Sequence, residues 1–186
     1  ISELQYGVQG IWSYDSSEDL DLKKWAAQWI WMQDDIQSDV MLARRSFTLE
    51  EIPREALLRI SASSKYELYI NGKAICQGPA RSAAHHQSFD ILNIRPILNI
   101  GKNTIAVQVP YQKGTTSYHL KDREGLSAHL DLTSATIISD NTWKVSSDTS
   151  WDNNTKKIGR FQLVVNDKID FNKKIVGFET VNFDDS

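Results

Sequence analysis

The chain has 186 residues, a net charge of −3 and a hydrophobic content of 40%. This length suits one domain with a buried core, and the mixed charges offer no basic surface for nucleic acid. No apolar run approaches the roughly 20 residues of a transmembrane helix, and a lone cysteine, Cys76, excludes an internal disulfide. Because the chain starts at Ile1 without a methionine or a leader-like segment, we expect it to be a piece of a longer protein.

The first part of the chain is predicted to be an extended lead-in over residues 1–24. Apolar residues at helical spacing predict a short helix over Leu20–Trp29, and Trp29–Met32 is typical of a strand. Residues Gln33–Asp39 form an acidic loop. Its aspartates lack the ligand spacing of a calcium loop, so a solvated loop is favoured over a metal site. These aspartates are Asp34, Asp35 and Asp39.

The clearest element is a β-hairpin that begins at Tyr66. Side chains alternate through Tyr66–Ile70 with the period of a half-buried strand. Asn71-Gly72 then supplies two residues that tolerate positive φ, as a type I′ turn requires. Residues Lys73–Gln77 return as the second strand, where Cys76 is expected to be a small buried apolar residue. A two-residue turn would place Leu68 opposite Ile75.

Further short strands alternate with turn signals along the rest of the chain. Such spacing indicates an all-β fold, an antiparallel β-sandwich, and the mixture of tight hairpins and long connections favours a jelly roll. One domain is predicted over residues 25–186, with a lead-out after about Thr155. The remaining strands are predicted at Met41–Leu49, Ala56–Ala62, Ser88–Ile94, Thr104–Val109, Gly125–Leu132, Ala135–Ile138, Trp143–Ser146, Phe161–Val165 and Lys174–Phe178.

Several segments resemble the N-terminal, galactose-binding-like β-sandwich module of bacterial α-L-rhamnosidases. The hairpin is shared more widely, with the sugar-binding sandwiches of β-galactosidase-like enzymes, whereas the tryptophan pair and the DNTW run are closer to the rhamnosidase group. The similar segments are WIW at Trp29–Trp31, ARRSFTL at Ala43–Leu49, YELYINGKAICQGPAR at Tyr66–Arg81, SFDILNIRPIL at Ser88–Leu98, GKNTIAVQV at Gly101–Val109, DNTWKVSSDTSW at Asp140–Trp151 and the closing VNFDDS.

The resemblance implies a module of a glycoside hydrolase whose catalytic carboxylates lie on a helical barrel elsewhere in the protein. It also implies a periplasmic or secreted location. No catalytic residue can be carried over to this chain, because no matching motif is present. The residues themselves also lack nucleophile, phosphate-loop and metal-ligand spacings, so no cofactor is predicted. Asp122 and Glu124 are the least ordinary acidic pair, and a solvated loop is the favoured interpretation for them.

The two longest loops, Pro79–Gln87 and Tyr111–Glu124, offer a candidate binding surface. Because antiparallel connections reverse the chain direction, both loops should emerge at one end of the sandwich, beside the Ser63–Lys65 turn. Loops grouped on a rigid scaffold commonly bind ligands, and aromatic rings with planar polar groups suit a sugar. The candidate carbohydrate-binding residues are Arg81, His85, His86, Tyr111, Tyr118, His119, Asp122 and Arg123.

Three functions remain open at this point. The chain is a non-catalytic module that contacts carbohydrate or shapes the substrate entrance of its parent enzyme. Alternatively, it is a structural domain that packs on the catalytic part and binds nothing alone, or a free-standing lectin-like module. The six tryptophans are expected mostly in the core. Trp151, beside two polar residues, is the one expected to be exposed.

Overall fold

The structure is a computed structural model, and strands make up nearly all of its regular structure. It describes residues 10–11, 25–33, 38–82, 87–111, 124–152, 157–158, 164–165 and 167–185. The strands are β1 (Gly10–Ile11), β2 (Val40–Leu49), β3 (Ala56–Ala62), β4 (Tyr66–Ile70), β5 (Lys73–Gly78), β6 (Ser88–Asn93), β7 (Gly101–Pro110), β8 (Leu126–Leu132), β9 (Thr136–Ile138), β10 (Lys144–Ser147), β11 (Lys157–Ile158) and β12 (Val164–Val165).

Two short 3-10 turns, Arg95–Ile97 and Phe171–Lys173, complete the regular structure of the described ranges. No helix within those ranges is long or apolar enough to cross a bilayer.

The strands form two five-stranded antiparallel sheets. Sheet I has the order β1-β6-β3-β8-β9, and sheet II has the order β10-β2-β7-β4-β5. Strands β11 and β12 pair separately. The predicted all-β antiparallel sandwich is therefore confirmed. The division into a lead-in over residues 1–24 and a module over residues 25–186 stays a prediction, although β1, which lies within that lead-in, pairs with β6.

The core lies between the two sheets and follows from the alternation of side chains along the strands. Leu58 and Ile60 of β3 and Leu68 and Ile70 of β4 point into one apolar cluster, together with Val107 of β7. Successive side chains of a strand face opposite sides, so each sheet contributes every second residue. The strand predictions from Met41 to Ser146 are confirmed to within a few residues.

The central hairpin has the predicted turn but not the predicted register. Asn71 and Gly72 both have positive φ, at 52° and 81°. Leu68 pairs with Cys76, and Tyr69 pairs with Ala74, so Ile75 is an extra residue in β5. The expectation that Leu68 lies opposite Ile75 is therefore wrong. A bulge lets two successive side chains turn the same way, and both Ile75 and Cys76 pack partly against the core. Cys76 is accordingly half-buried.

A pair of amides fixes this turn to β7. The Asn71 side chain donates to the Asn103 side chain at 2.9 Å and accepts from the backbone of Thr104 at 2.8 Å. Asn103 is completely buried. Its own amide group donates to the Asn99 and Gly101 carbonyls, at 2.7 and 3.0 Å. Every polar atom of this buried side chain thus has a partner.

The helix predicted over Leu20–Trp29 is wrong for its described part, which is extended. Ile30 donates its backbone N–H to the Leu126 carbonyl of β8, Gln28 donates to the Ser139 carbonyl just after β9, and Ala26 donates to the His129 ring of β8. This period of two is that of a strand, and pairing with a sheet edge overrides helical spacing. Of the strand predicted at Trp29–Met32, Ile30 forms a single bridge, to Leu126.

The strand predicted at Lys174–Phe178 is also wrong, because turns replace it there. Ile175, Phe178 and Phe183 instead pack on the outer face of sheet II, against Leu42 and Ala106. Of the strand predicted at 161–165, only residues 164 and 165 are described, and they form β12.

Arg44 holds the end of the C-terminal segment, by which we mean residues 167–185, on sheet II. Its side chain is only 5% exposed, and its guanidinium donates to the carbonyls of Phe178 at 2.5 Å and Thr180 at 3.0 Å. The Asp185 carboxylate lies 2.6 Å from its Nε, and the Phe183 ring centroid lies 5.2 Å from its guanidinium carbon. One buried cation therefore satisfies backbone and side-chain groups spread over eight residues of the C-terminal segment.

We expect Arg44→Ala to destabilise the domain by about 2–4 kcal/mol, because it leaves two carbonyls without their donor and the Asp185 carboxylate without its counter-charge. Urea denaturation measures the change. Arg45→Ala is the matched control, since the neighbouring arginine makes one exposed hydrogen bond, to the Thr142 carbonyl at 3.0 Å. That variant should lose less than about 1 kcal/mol. Equal midpoints for the two variants would contradict the anchoring role of Arg44.

Candidate functional site

The stems of the two longest loops meet at one end of the sandwich. Ser63 donates its backbone N–H to the Gly125 carbonyl at 3.0 Å, and the Ser64 hydroxyl donates to the Pro110 carbonyl. The Gln87 side chain donates to the Ala62 carbonyl at 2.9 Å. The predicted grouping of the loop stems beside the Ser63–Lys65 turn is therefore confirmed. We call this surface the loop end.

The hairpin turn lies at the opposite end, as the strand parity predicts. Asn71 donates to the Ile97 carbonyl at 3.0 Å, so the connection between β6 and β7 returns to that end. The scaffold between the two ends consists of paired antiparallel strands.

Two of the candidate carbohydrate-binding residues lie in described ranges, and they differ in exposure. Arg81 is exposed at the start of its loop. Tyr111 is 8% exposed, and its ring makes an edge contact with the Trp31 ring at a centroid distance of 5.9 Å. Its ring therefore offers little surface to a sugar. The other six candidates lie outside the described residues: His85, His86, Tyr118, His119, Asp122 and Arg123.

A buried cluster fixes the place where the first long loop leaves the sheet. Tyr66, which is completely buried, donates its hydroxyl hydrogen to the Asp90 carboxylate, and the Cys76 sulfur lies 3.9 Å from the Tyr66 oxygen. A Cβ placed on Gly78 would overlap the Asp90 carboxylate and would lie 2.8 Å from the Tyr66 hydroxyl. A glycine is therefore required for close approach at the last residue of β5, immediately before the cis bond to Pro79.

The electrostatics of this cluster favour protonated groups. Burial raises the pKa of the Asp90 carboxyl, and the hydrogen bond from Tyr66 opposes that rise. Burial also raises the pKa of the Tyr66 hydroxyl, which keeps it a donor, and raises the pKa of the Cys76 thiol to about 11. A thiol with so high a pKa is a poor nucleophile at neutral pH. The cluster is suited to holding the loop and not to covalent chemistry.

Sequence reasoning missed the position of Trp29 and Trp31. Both are half-buried, on either side of Ile30, which pairs with Leu126. A Cβ on Gly125 would lie 2.8 Å from the Trp29 ring. Because Trp31 contacts Tyr111, the two indoles lie against the two stems of the second long loop. The alternation of Trp29–Met32 predicts a strand, and tryptophans in strands are expected in the core.

Trp151, the tryptophan expected to be exposed, is half-buried and pairs with Ile169. Its neighbours along the chain are polar, but its backbone is tied to the C-terminal segment by that bridge. Local polarity was therefore a poor guide to its exposure.

No three histidine, cysteine, aspartate or glutamate side chains in the described ranges are grouped as metal ligands. The buried His129 accepts from the Ala26 N–H through Nδ1 at 3.2 Å, and its Nε2 lies 3.0 Å from the Asp131 carboxylate. Of the aspartates considered for calcium, Asp39 is described and Asp34 and Asp35 are not. Of the acidic pair, Glu124 is described and exposed, and Asp122 is not.

A family model described as the α-L-rhamnosidase N-terminal domain matches residues 51–186 of this sequence. A comparison with curated proteins returned no match. Among solved structures, the GH78 family rhamnosidase of Bacillus sp. GL1 matches with a TM-score of 0.79 and 29% identity, over 87% of this chain and 17% of that one.

Two further rhamnosidase structures share the fold at lower identity. The α-L-rhamnosidase of Dictyoglumus thermophilum has a TM-score of 0.66 and 22% identity, over 88% of this chain and 20% of that one. The native α-L-rhamnosidase of Aspergillus terreus has a TM-score of 0.57 and 21% identity, over 78% and 18%. The chain thus spans about a fifth of the length of the rhamnosidases that it matches.

The raised pKa of Asp90 leads to a testable dependence of stability on pH. The folded state keeps the Asp90 proton to a higher pH than the unfolded state does. The stability that this proton contributes is complete below the ordinary carboxyl pKa of about 4 and is lost as the pH rises through the raised value. Asp90→Asn keeps an acceptor for Tyr66 and removes the titration. In urea denaturation, the stability of the wild type relative to Asp90→Asn should fall as the pH rises above about 4.

Asp140→Asn provides a control of opposite sign. Hydrogen bonds from the side chain and backbone of Thr142 lower the pKa of the Asp140 carboxyl. The stability of the wild type relative to this variant should therefore fall as the pH drops below about 4. Parallel pH profiles for the wild type and Asp90→Asn would show that the half-buried Asp90 carboxyl does not titrate as described.

Proposed function

This chain belongs to the α-L-rhamnosidase N-terminal domain family, and on that premise we propose that it is a non-catalytic module of an α-L-rhamnosidase-type glycoside hydrolase. In this proposal the module contacts carbohydrate at its loop end, next to the substrate entrance of the parent enzyme. The catalytic step belongs to other parts of that enzyme, because the module corresponds to about a fifth of the matched rhamnosidases.

The observation that carries the proposal is the convergence of the loop stems. Hydrogen bonds join the Ser63–Lys65 turn to both stems of the second long loop, and Gln87 of the first loop bonds to Ala62, just before that turn. Both loops therefore start from one small area of the scaffold. Loops presented in this way are where binding residues are concentrated in β-sandwiches. The Tyr66–Asp90 contact fixes the start of the first loop and reduces the cost of ordering it around a ligand.

The residue types proposed for the loop end suit a neutral, hydroxyl-rich ligand. The exposed Arg81 guanidinium offers planar donors for sugar hydroxyls, and aromatic rings can cover the C–H face of a pyranose. The proposed contact residues besides Arg81 are His85, His86, Tyr118, His119, Asp122 and Arg123. Tyr111 supports the loop through its contact with Trp31 and remains in the proposal as a neighbour of the ligand.

A second candidate function is a structural one, in which the module packs on other parts of its parent enzyme. Phe171 and Val176 of the C-terminal segment are 73% and 80% exposed. Large apolar side chains so exposed and close in sequence favour a protein contact. The two functions are compatible, since these residues belong to the C-terminal segment and not to the loop end.

Carbohydrate contact at the loop end should be weak and detectable by NMR. A shallow, wet site recovers little apolar burial, so we expect dissociation constants near 1 mM, equivalent to about 4 kcal/mol. Titration of the labelled chain with L-rhamnose, galactose and a rhamnose-bearing oligosaccharide should shift signals of the two long loops. Arg81→Ala and Tyr118→Ala should remove the shifts. Arg54→Ala, an exposed arginine outside the loop end, should retain them. Absence of any loop shift at high sugar concentration would contradict carbohydrate contact at the loop end, and the structural role would remain as the only candidate.

The chain alone should not hydrolyse nitrophenyl α-L-rhamnoside. Glycoside hydrolysis requires two suitably spaced carboxyls, one of them with a raised pKa. The half-buried Asp90 has the raised pKa, but its carboxylate accepts from the Tyr66 hydroxyl and lies against Gly78. Release of nitrophenol is measured by absorbance. Turnover that survives repurification, and that is lost in Asp122→Ala or Glu124→Ala, would contradict the non-catalytic assignment.

A further inference from the structure

A concave surface lies along one side of the sandwich, at an edge of sheet II. Strand β10 is one of the two edge strands of that sheet. Opposite it, sheet I is extended by residues 28–30, which hydrogen-bond to Ser139 and Leu126. Between them an open cleft of about 690 Å³ is lined by residues 28–33 on one wall and by Asp140, Asn141, Trp143, residues 145–147 and Thr149 on the other. We call this the side cleft.

The floor of the side cleft is apolar because β10 is left uncovered. Val145 pairs directly with Ala43, a residue of the core, so its side chain points toward the inner side of sheet II. No strand of sheet I covers it there, and Val145 is 39% exposed. Its neighbours on β10, Lys144 and Ser146, are polar and exposed. Val145 lines the cleft together with the half-buried Trp29 and Trp31. Its exposed side chain is apolar surface that a ligand can cover.

The rim of the side cleft is polar, and none of the described residues that line it is a cation. Its described lining includes Asn141 and Thr149 and one ionisable group, Asp140. The Asp140 Oδ1 accepts from the Thr142 N–H at 2.9 Å, which holds the carboxylate in a fixed orientation. Without a lysine, arginine or histidine in the described lining, and with the Asp140 carboxylate at the rim, the cleft disfavours a phosphate or carboxylate ligand. The lining suits a neutral ligand with hydroxyl groups and one apolar face.

We propose that the side cleft is a carbohydrate subsite, in which the C–H face of a pyranose lies against Trp29 and Trp31 and its hydroxyls reach the polar rim. Aromatic faces pack well against apolar ligand surfaces, and amide and hydroxyl side chains match sugar hydroxyls. The volume lies within the roughly 300–1,000 Å³ of small-molecule sites, which accommodates a disaccharide. This subsite rests on the proposed carbohydrate function and adds a second contact area to the loop end.

The experiment is an NMR titration of the 186-residue chain with the disaccharide rutinose, α-L-rhamnosyl-(1→6)-glucose, and separately with L-rhamnose. The indole N–H signals of Trp29 and Trp31, assigned from Trp29→Phe and Trp31→Phe, should shift with rutinose, as should the backbone signals of Val145–Thr149. Val145→Ser should weaken binding at the cleft by about threefold to tenfold, because it removes the exposed apolar floor. Val176→Ser is the matched control, since that valine is 80% exposed elsewhere, and it should leave the affinity unchanged.

The two sites are separated by Arg81→Ala, which should remove shifts at the loop end and leave those of the side cleft. Cleft shifts without loop-end shifts would support the subsite and contradict the loop-end proposal. Loop-end shifts without a shift of either indole, in folded protein at high rutinose concentration, would overturn the subsite alone. Equal affinities of Val145→Ser and Val176→Ser at the cleft would overturn it as well.

Discussion

The pairing of Asn71 with Asn103 is the constraint on which the arrangement of sheet II depends. A buried amide must satisfy all its polar atoms, and Asn103 does so by bonding to the hairpin turn and to the connection before β7. This brings the turn of β4 and β5 to the start of β7 and sets the register of β4 on β7, in which Ile70 faces Ile105. Once that end is fixed, antiparallel geometry determines that both long loops leave from the opposite end.

Another part of the chain covers the outer face of each sheet, and the interactions that hold it there differ between the two sheets. On sheet II, Arg44 binds carbonyls and a carboxylate of the C-terminal segment while Phe178 packs against Tyr69. On sheet I, His129 and Ser127 receive hydrogen bonds from Ala26 and Trp25. Ser127 and His129, two outward residues of β8, are therefore buried although they are polar. A two-layer sandwich alone would have left them in water.

Local sequence signals predicted most of the strands, whereas pairing between distant parts of the chain decided the helix and the strand that were predicted wrongly. Asn71-Gly72 specified its turn because few residues tolerate positive φ, and the alternation in β3 and β7 specified strands. The extra residue at Ile75 could not be predicted, since a bulge depends on how both neighbouring strands pack. The side cleft could not be predicted from the sequence either. Whether Val145 is covered depends on which strands lie at the two sheet edges, and no short stretch of sequence records that order.

The contact of Gly78 with Tyr66 and Asp90 has a consequence for how such a module can diversify. The three groups of this contact, Tyr66, Gly78 and Asp90, lie in the strands on either side of the first long loop and not in the loop. Mutations that change the length or composition of the loop therefore leave its anchor intact and cost little stability. A lineage can alter the recognition surface by insertion or substitution there while selection for folding acts on three residues of the scaffold.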